Sequence, residues 1–262
     1  MTAFGFIRRA RPALGTLVEI GARVPAPAAR EAAAALEEAW DALAAVEREL
    51  SAFDPESDVG RFNAAPEGEA LAIADHTAAV LRAAADLARE TGWLFDVSQG
   101  TGAGAWSVAD AGGAALLHKR SASVRLDLGG IAKGYAVDRA FEALAARLDH
   151  VDGAGCWVNA GGDLRVAGVE LPVFLRDERG GGARPWMVLS DGALATSDYG
   201  PGARARLAGA PEGRGRHVSV AAPRCMWSDA LTKVVAITGR VDHPAVVLRR
   251  AVAWVHAEAG PC

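Results

Sequence analysis

Cysteine is scarce in this chain of 262 residues: Cys156, Cys225 and Cys262 are scattered, odd in number and lack any C-x-x-C spacing. That excludes a disulfide framework or a cysteine-based zinc site and leaves the thiols as small buried or terminal groups. The six histidines form neither an H-x-x-x-H nor an H-E-x-x-H pair. Long apolar runs are missing too. The Ala-rich stretch Glu31–Leu50 carries charges every few positions, whereas a bilayer span needs about 18 consecutive apolar residues. Charge of one sign is not in excess, since 28 Lys+Arg against 32 Asp+Glu give a formal net charge of −4. No basic run forms a track for a polyanion, so neither nucleic acid nor membrane insertion is expected. The first residues lack an apolar signal core and a small-residue cleavage site, and the expected location is cytoplasmic.

What is present suits a globular core. Hydrophobic residues make up 51% and charged residues 23% of the chain, and the length fits a single domain over 1–262, built as one body or two intimately packed subdomains. The spacing predicts a strand at Leu14–Ile20 and an amphipathic helix from Pro27 to Leu50, where Ala32, Leu36, Trp40, Leu43, Val46 and Leu50 recur every three or four residues. Ser51–Ala65 reads as a loop with one helical turn, and Asp75–Thr91 as a second helix with Asp75 as N-cap. Gly100–Gly113 reads as irregular, Ser123–Leu128 as a strand and Tyr135–Leu148 as a helix. Further strands are expected around Cys156–Asn159, Leu164–Val166, Leu171–Arg176, Pro185–Leu189 and His217–Ala222, with a short helix at Ser228–Thr238. Val246–Ala257 closes the chain without a clear type. Strands and helices do not alternate regularly, which favours α+β with antiparallel sheets over a doubly wound parallel sheet.

Two stretches carry chemistry on their own residues. In Leu126–Asp138 a strand runs through Asp127 and the pair Gly129-Gly130 into a helix start bearing Lys133. Glycines let the backbone approach a ligand, the helix N-terminus adds partial positive charge and Lys133 a full one, which is what a diphosphate requires. A plain strand-to-helix turn is the competing reading. In Ser228–Lys233, Asp229 and Thr232 share a helix face and both offer oxygen to a hard cation such as Mg²⁺, against the simpler reading of a capping Asp and a satisfied Thr.

The order of the motifs decides more than any one of them. Leu14-Gly15-Thr16, the Leu50-Ser51-x-Phe53 loop ending at Asn63, Leu94–Asp96, Asp127–Tyr135, Asn159–Asp163, Ala195–Ser197 and Ser228–Ala230 follow one another as in the ApbE family of FAD:protein FMN transferases. The chain resembles that family from Leu14 to about Gly239. The resemblance implies an α+β fold with antiparallel sheets and flanking helices, and a flavin site between two packed subdomains. It implies FAD as substrate with Mg²⁺ beside its pyrophosphate, and transfer of FMN to a Thr or Ser of a target flavoprotein with release of AMP. Asp127 and Lys133 would contact FAD; Leu14, Phe53, Leu94, Phe95, Asp96 and Leu207 would line the nucleotide pocket. Gly130 through its carbonyl, Asp229 and Thr232 would hold the metal, and Asp229 and Lys133 would carry catalysis.

Departures from the pattern keep other readings open. Lys233 stands four residues after Asp229, where the family usually carries a threonine ligand. The usual His-x-x-Asp-Pro-x-Thr-Gly is replaced by Arg206–Gly213, and the usual Thr-Ser-Gly is Thr196-Ser197-Asp198. A flavin-binding module without transfer, or a metal-dependent FAD pyrophosphatase, is the alternative function.

Overall fold

The computed structural model describes residues 3–176, 182–199 and 217–256. The chain opens as a hairpin, β1 (Phe4–Ala13) and β2 (Thr16–Pro25). Leu14 and Gly15 make its turn with φ of 53° and 70°, so the strand expected at Leu14–Ile20 starts two residues later and has a partner on its N-terminal side. A turn of 3-10 helix leads into α1 (Ala29–Leu50), followed by α2 (Asp58–Ala64), β3 (Ala70–Ile73), α3 (Asp75–Glu90), β4 (Trp106–Ala111), β5 (Ala114–Lys119) and α4 (Ala132–Leu148). The later elements are β6 (Gly155–Ala160), β7 (Asp163–Ala167), β8 (Leu171–Arg176), β9 (Ala183–Leu189), β10 (Gly192–Asp198), β11 (His217–Ala222), α5 (Cys225–Thr238), α6 (Pro244–Leu248) and β12 (Val252–His256).

Seven strands form one antiparallel sheet in the order β1-β2-β6-β7-β10-β11-β12. Side chains alternate faces along each strand. Val18, Ile20, Ala22 and Val24 of β2, Cys156, Val158 and Ala160 of β6, and Val218 and Val220 of β11 all enter the main core. α1 covers β2 on this face, α4 covers β6 and β7, and α5 covers β10 and β11. On the opposite face Trp157, Leu164, Val166 and Leu194 pack with Leu171, Val173, Trp186 and Leu189 of the β8–β9 hairpin. A small sheet, β3-β5-β4, lies beside the helices. The α+β class with antiparallel sheets is as expected from the sequence.

Ser123–Leu128 corrects the sequence reading. It is extended but pairs with no strand. Asn63 takes both backbone groups of Leu126, accepting its N–H at 2.7 Å and donating to its carbonyl at 2.9 Å, while the Asp127 N–H donates to the Val97 carbonyl at 2.8 Å. Side chains and a loop therefore satisfy this backbone in place of a ladder. Within the stretch read as irregular, Gly100–Gly113, lies β4, and the ambiguous end divides into α6 and β12. Asp75 lies in the first turn of α3, whose N-cap is Ala74.

Candidate functional site

The Gly129-Gly130 turn runs into the N-terminus of α4 and meets α5 there. Gly134 makes the approach possible. A Cβ on it would stand 2.4 Å from the Cys225 carbonyl oxygen and 2.8 Å from Asp229 Cβ, so only glycine lets α4 lie this close. Its N–H donates to Asp229 Oδ2 at 3.1 Å. Asp138, one turn further along α4, accepts from the N–H groups of Cys225 and Met226 at 2.8 and 3.0 Å. Those are the first residues of α5, whose N-cap Arg224 makes no side-chain cap, so Asp138 does the capping from a neighbouring helix. Arg165 of β7 pairs with Asp138 at 2.8 Å and Arg224 lies beside it, giving the buried carboxylate its counter-charge. α4, α5 and β7 are thus locked to one another.

Four ionisable side chains meet in this frame. Lys133 pairs with Asp163 at the start of β7, and Lys233 pairs with Asp229 on α5. Both aspartates are buried. The Asp163 oxygens are enclosed and, apart from the ion pair, receive no donor in hydrogen-bonding geometry among the described residues. Burial, and then the neighbouring Asp229, push the Asp163 carboxyl up to about 6. Burial would raise Asp229 too, but Lys233 and Lys133 outweigh it and hold that carboxyl below its ordinary value. Both ammonium groups are lowered by burial and raised more strongly by their carboxylates, so both stay charged at neutral pH. By contrast burial pushes the Cys156 thiol up to about 12 and raises Cys225 as well, which makes both inert.

The glycine turn closes over this group. A Cβ on Gly130 would stand 3.2 Å from Lys233 Cε and 3.8 Å from the Phe95 ring. Asp127 holds the turn from the other side: Oδ1 accepts from the Gly129 N–H at 2.8 Å and Oδ2 from Gln99 Nε2 at 2.7 Å. Asp96 organises its own loop, accepting from Ser98 N–H at 2.8 Å, Ser98 Oγ at 2.7 Å and Gly100 N–H at 3.1 Å. Asp127, Gly130, Lys133, Asp229, Phe95 and Lys233 therefore gather at one place. Leu94 is partly exposed on the same loop. Leu14 and Phe53 stand at the C-terminal end of α1, where the Leu14 N–H donates to Glu47 at 2.8 Å and Phe53 is 98% exposed. No hydrogen bond among the described residues joins those two to the turn. Leu207 and the Arg206–Gly213 segment lie outside the described residues. A separate depression of about 370 Å³, lined by residues including Glu67, His118, Lys119 and Arg120, shares none of this chemistry.

Two of the three expected metal ligands, Asp229 and Thr232, are otherwise engaged. Lys233 holds Asp229 Oδ1 and donates to the Asp229 carbonyl at 2.9 Å, while Gly134 holds Oδ2. The Thr232 hydroxyl donates to the Asp229 carbonyl at 2.7 Å and lies 3.1 Å from Ser197 Oγ and 3.3 Å from the Tyr199 hydroxyl. A divalent ion at Asp229 would have to displace a contacting ammonium, so the residues as arranged do not fit Mg²⁺. Sequence reasoning named Asp229 and Lys133 but gave no role to Asp163, Asp138 or Gly134. Asp163 ends a motif that was recognised; Asp138 carries no local signal, because its partners come from elements far along the chain.

The fold is that of known flavin transferases of one type. The ApbE protein of Thermotoga maritima superposes with a TM-score of 0.76 at 23% identity, covering 96% of this chain and 94% of that one. The apo flavinyl transferase ApbE of Pseudomonas stutzeri gives 0.77 at 18% identity, covering 98% and 92%. Identities this low speak for the fold. The sequence itself goes further: the profile described as the ApbE family matches residues 14–255. The FAD:protein FMN transferase of Treponema pallidum (strain Nichols) is 32% identical over 231 residues, 72% of this chain and 63% of that protein. The chain belongs to the ApbE family. It spans about 63% of the length of that curated relative. No helix among the described residues is long and apolar enough to cross a membrane.

Proposed function

We propose that the crevice at the head of α4 binds FAD and that the chain transfers FMN from it to a Thr or Ser hydroxyl of a target flavoprotein. The observation that carries this reading is the convergence of a glycine turn, a helix N-terminus and two ammonium groups. The Gly130 N–H has no backbone partner among the described residues, and Lys133 and Lys233 stand within one helical turn of it along α4 and across on α5. Backbone donors, a helix dipole and fixed positive charge favour a diphosphate in a way that needs no rearrangement on binding. Family membership supplies the chemistry that the diphosphate undergoes.

In the transfer, the acceptor hydroxyl oxygen bonds to the FMN phosphorus and the phosphoanhydride P–O bond breaks. AMP leaves with the electron pair and the hydroxyl proton is released to solvent. Charge grows on the non-bridging oxygens and on the departing phosphate as that bond opens. Lys133, anchored by Asp163, and Lys233, anchored by Asp229, are held where such charge would develop. Positioning by fixed groups of this kind supplies much of the catalysis of phosphoryl transfer.

Incubating the protein with FAD and a target flavoprotein domain tests this. The expected result is flavin fluorescence that stays with the denatured target, with AMP formed in equal amount. FMN and AMP without a labelled target would mean hydrolysis instead, and bound but intact FAD would mean a binding module.

A further inference from the structure

Beside the glycine turn two buried aspartates are each paired with a lysine. Lys133 neutralises Asp163 and Lys233 neutralises Asp229, so these two pairs sum to zero with no ion added. In a site built for a divalent cation, the buried carboxylate is left without a cationic side-chain partner so that the metal supplies it. Here the partner is covalently attached, one helical turn beyond Asp229 on α5. An ammonium has three N–H donors and no acceptor. Lys233 gives one to Asp229 Oδ1 and one to the Asp229 carbonyl, and the third has no partner among the described residues. Its side chain passes under Gly130, within 3.2 Å of where a Cβ would stand, and remains 17% exposed. The ammonium therefore sits beneath the glycine turn with one donor to offer.

We infer that the Lys233 ammonium takes the place of the divalent cation in this site and itself faces the diphosphate, so that this chain binds FAD without metal. The inference rests on the flavin reading proposed above. It follows that Lys233→Thr, which removes the built-in cation and leaves Asp229 unpaired beside a hydroxyl, converts the site into one that needs a divalent ion.

Flavin fluorescence quenching with FAD, in EDTA and in Mg²⁺, tests this alongside Mn²⁺ binding to the ligand-free protein by electron paramagnetic resonance. For the natural chain, FAD affinity agrees within about twofold between EDTA and Mg²⁺, and no Mn²⁺ is held at the site. For Lys233→Thr, affinity in EDTA falls about tenfold or more, Mg²⁺ restores it and one Mn²⁺ binds. FAD binding by the natural chain that requires Mg²⁺, or a Mn²⁺ site in it that Asp229→Ala abolishes, overturns the inference while leaving the flavin reading intact. These arms use the natural residue at 233 and hold even if Lys233→Thr does not fold. Calorimetry with inorganic pyrophosphate in EDTA separates the two claims. Pyrophosphate bound by the natural chain and lost in Lys233→Thr, with no binding of FAD, supports the lysine and removes the flavin. Neither ligand bound under any condition overturns both.

Discussion

At the scale of single residues, Asp163 is the group whose chemistry is most altered by its surroundings. Burial, reinforced by Asp229, raises its carboxyl from the ordinary value of 3.8 to about 6. The folded protein therefore holds this proton more tightly than the unfolded chain does. Between those two values the native state binds more protons, so the contribution of Asp163 to stability is largest at low pH and declines as pH rises through about 6. FAD binding is expected to shift in the same window. Protonating Asp163 removes the negative charge that offsets Lys133 and leaves the turn more positive. FAD affinity is expected to be several-fold higher at about pH 5.5 than at about pH 7.5, and Asp163→Asn should flatten that difference. Flavin quenching titrations across this range check it; an unchanged slope in Asp163→Asn would contradict the assignment.

At the scale of elements, the helices report how far local pattern reaches. α1 was legible because its apolar residues recur every three or four positions and charges fill the other face. The strands β3, β5 and β10 were not, since each lies within a stretch of Ala, Gly and Leu that lacks clear alternation. Ser123–Leu128 shows the converse: alternation identified an extended segment, but only tertiary contacts reveal that Asn63 and Val97 satisfy its backbone. Of the site, the Asp127–Lys133 and Asp229–Thr232 segments were legible as motifs. The pairing of Lys233 with Asp229 agrees with their four-residue spacing on a helix. The capping of α5 by Asp138 was not, because no sequence rule connects positions that far apart. Asp138→Ala removes two hydrogen bonds to the first turn of α5 and leaves Arg165 without its buried partner. Loss of about 3–5 kcal/mol is expected, as for other buried pairs broken on one side. Denaturant unfolding measures it, and Asp138→Asn, which keeps one acceptor, should lose less.

At the scale of the whole molecule, the seven-stranded sheet serves as a platform on which α1, α4 and α5 lie side by side. The glycine turn and both lysines lie at the end of α4 where its backbone donors emerge, and the loop carrying Phe95 and Gln99 closes against them. Contacts between α4 and α5, fixed by Gly134 and Asp138, set the distance between Lys133 and Lys233. The result is a charged notch at the head of α4. Such a notch is expected to select for the phosphates of its ligand more than for its ring. Comparing FAD with riboflavin by fluorescence quenching tests that selection most directly. Riboflavin, which has the ring but no phosphate, should bind about a hundredfold more weakly than FAD, and Lys133→Ala should narrow the gap by weakening FAD alone. Riboflavin bound as tightly as FAD, or FAD affinity unmoved by Lys133→Ala, would contradict a diphosphate site at the head of α4.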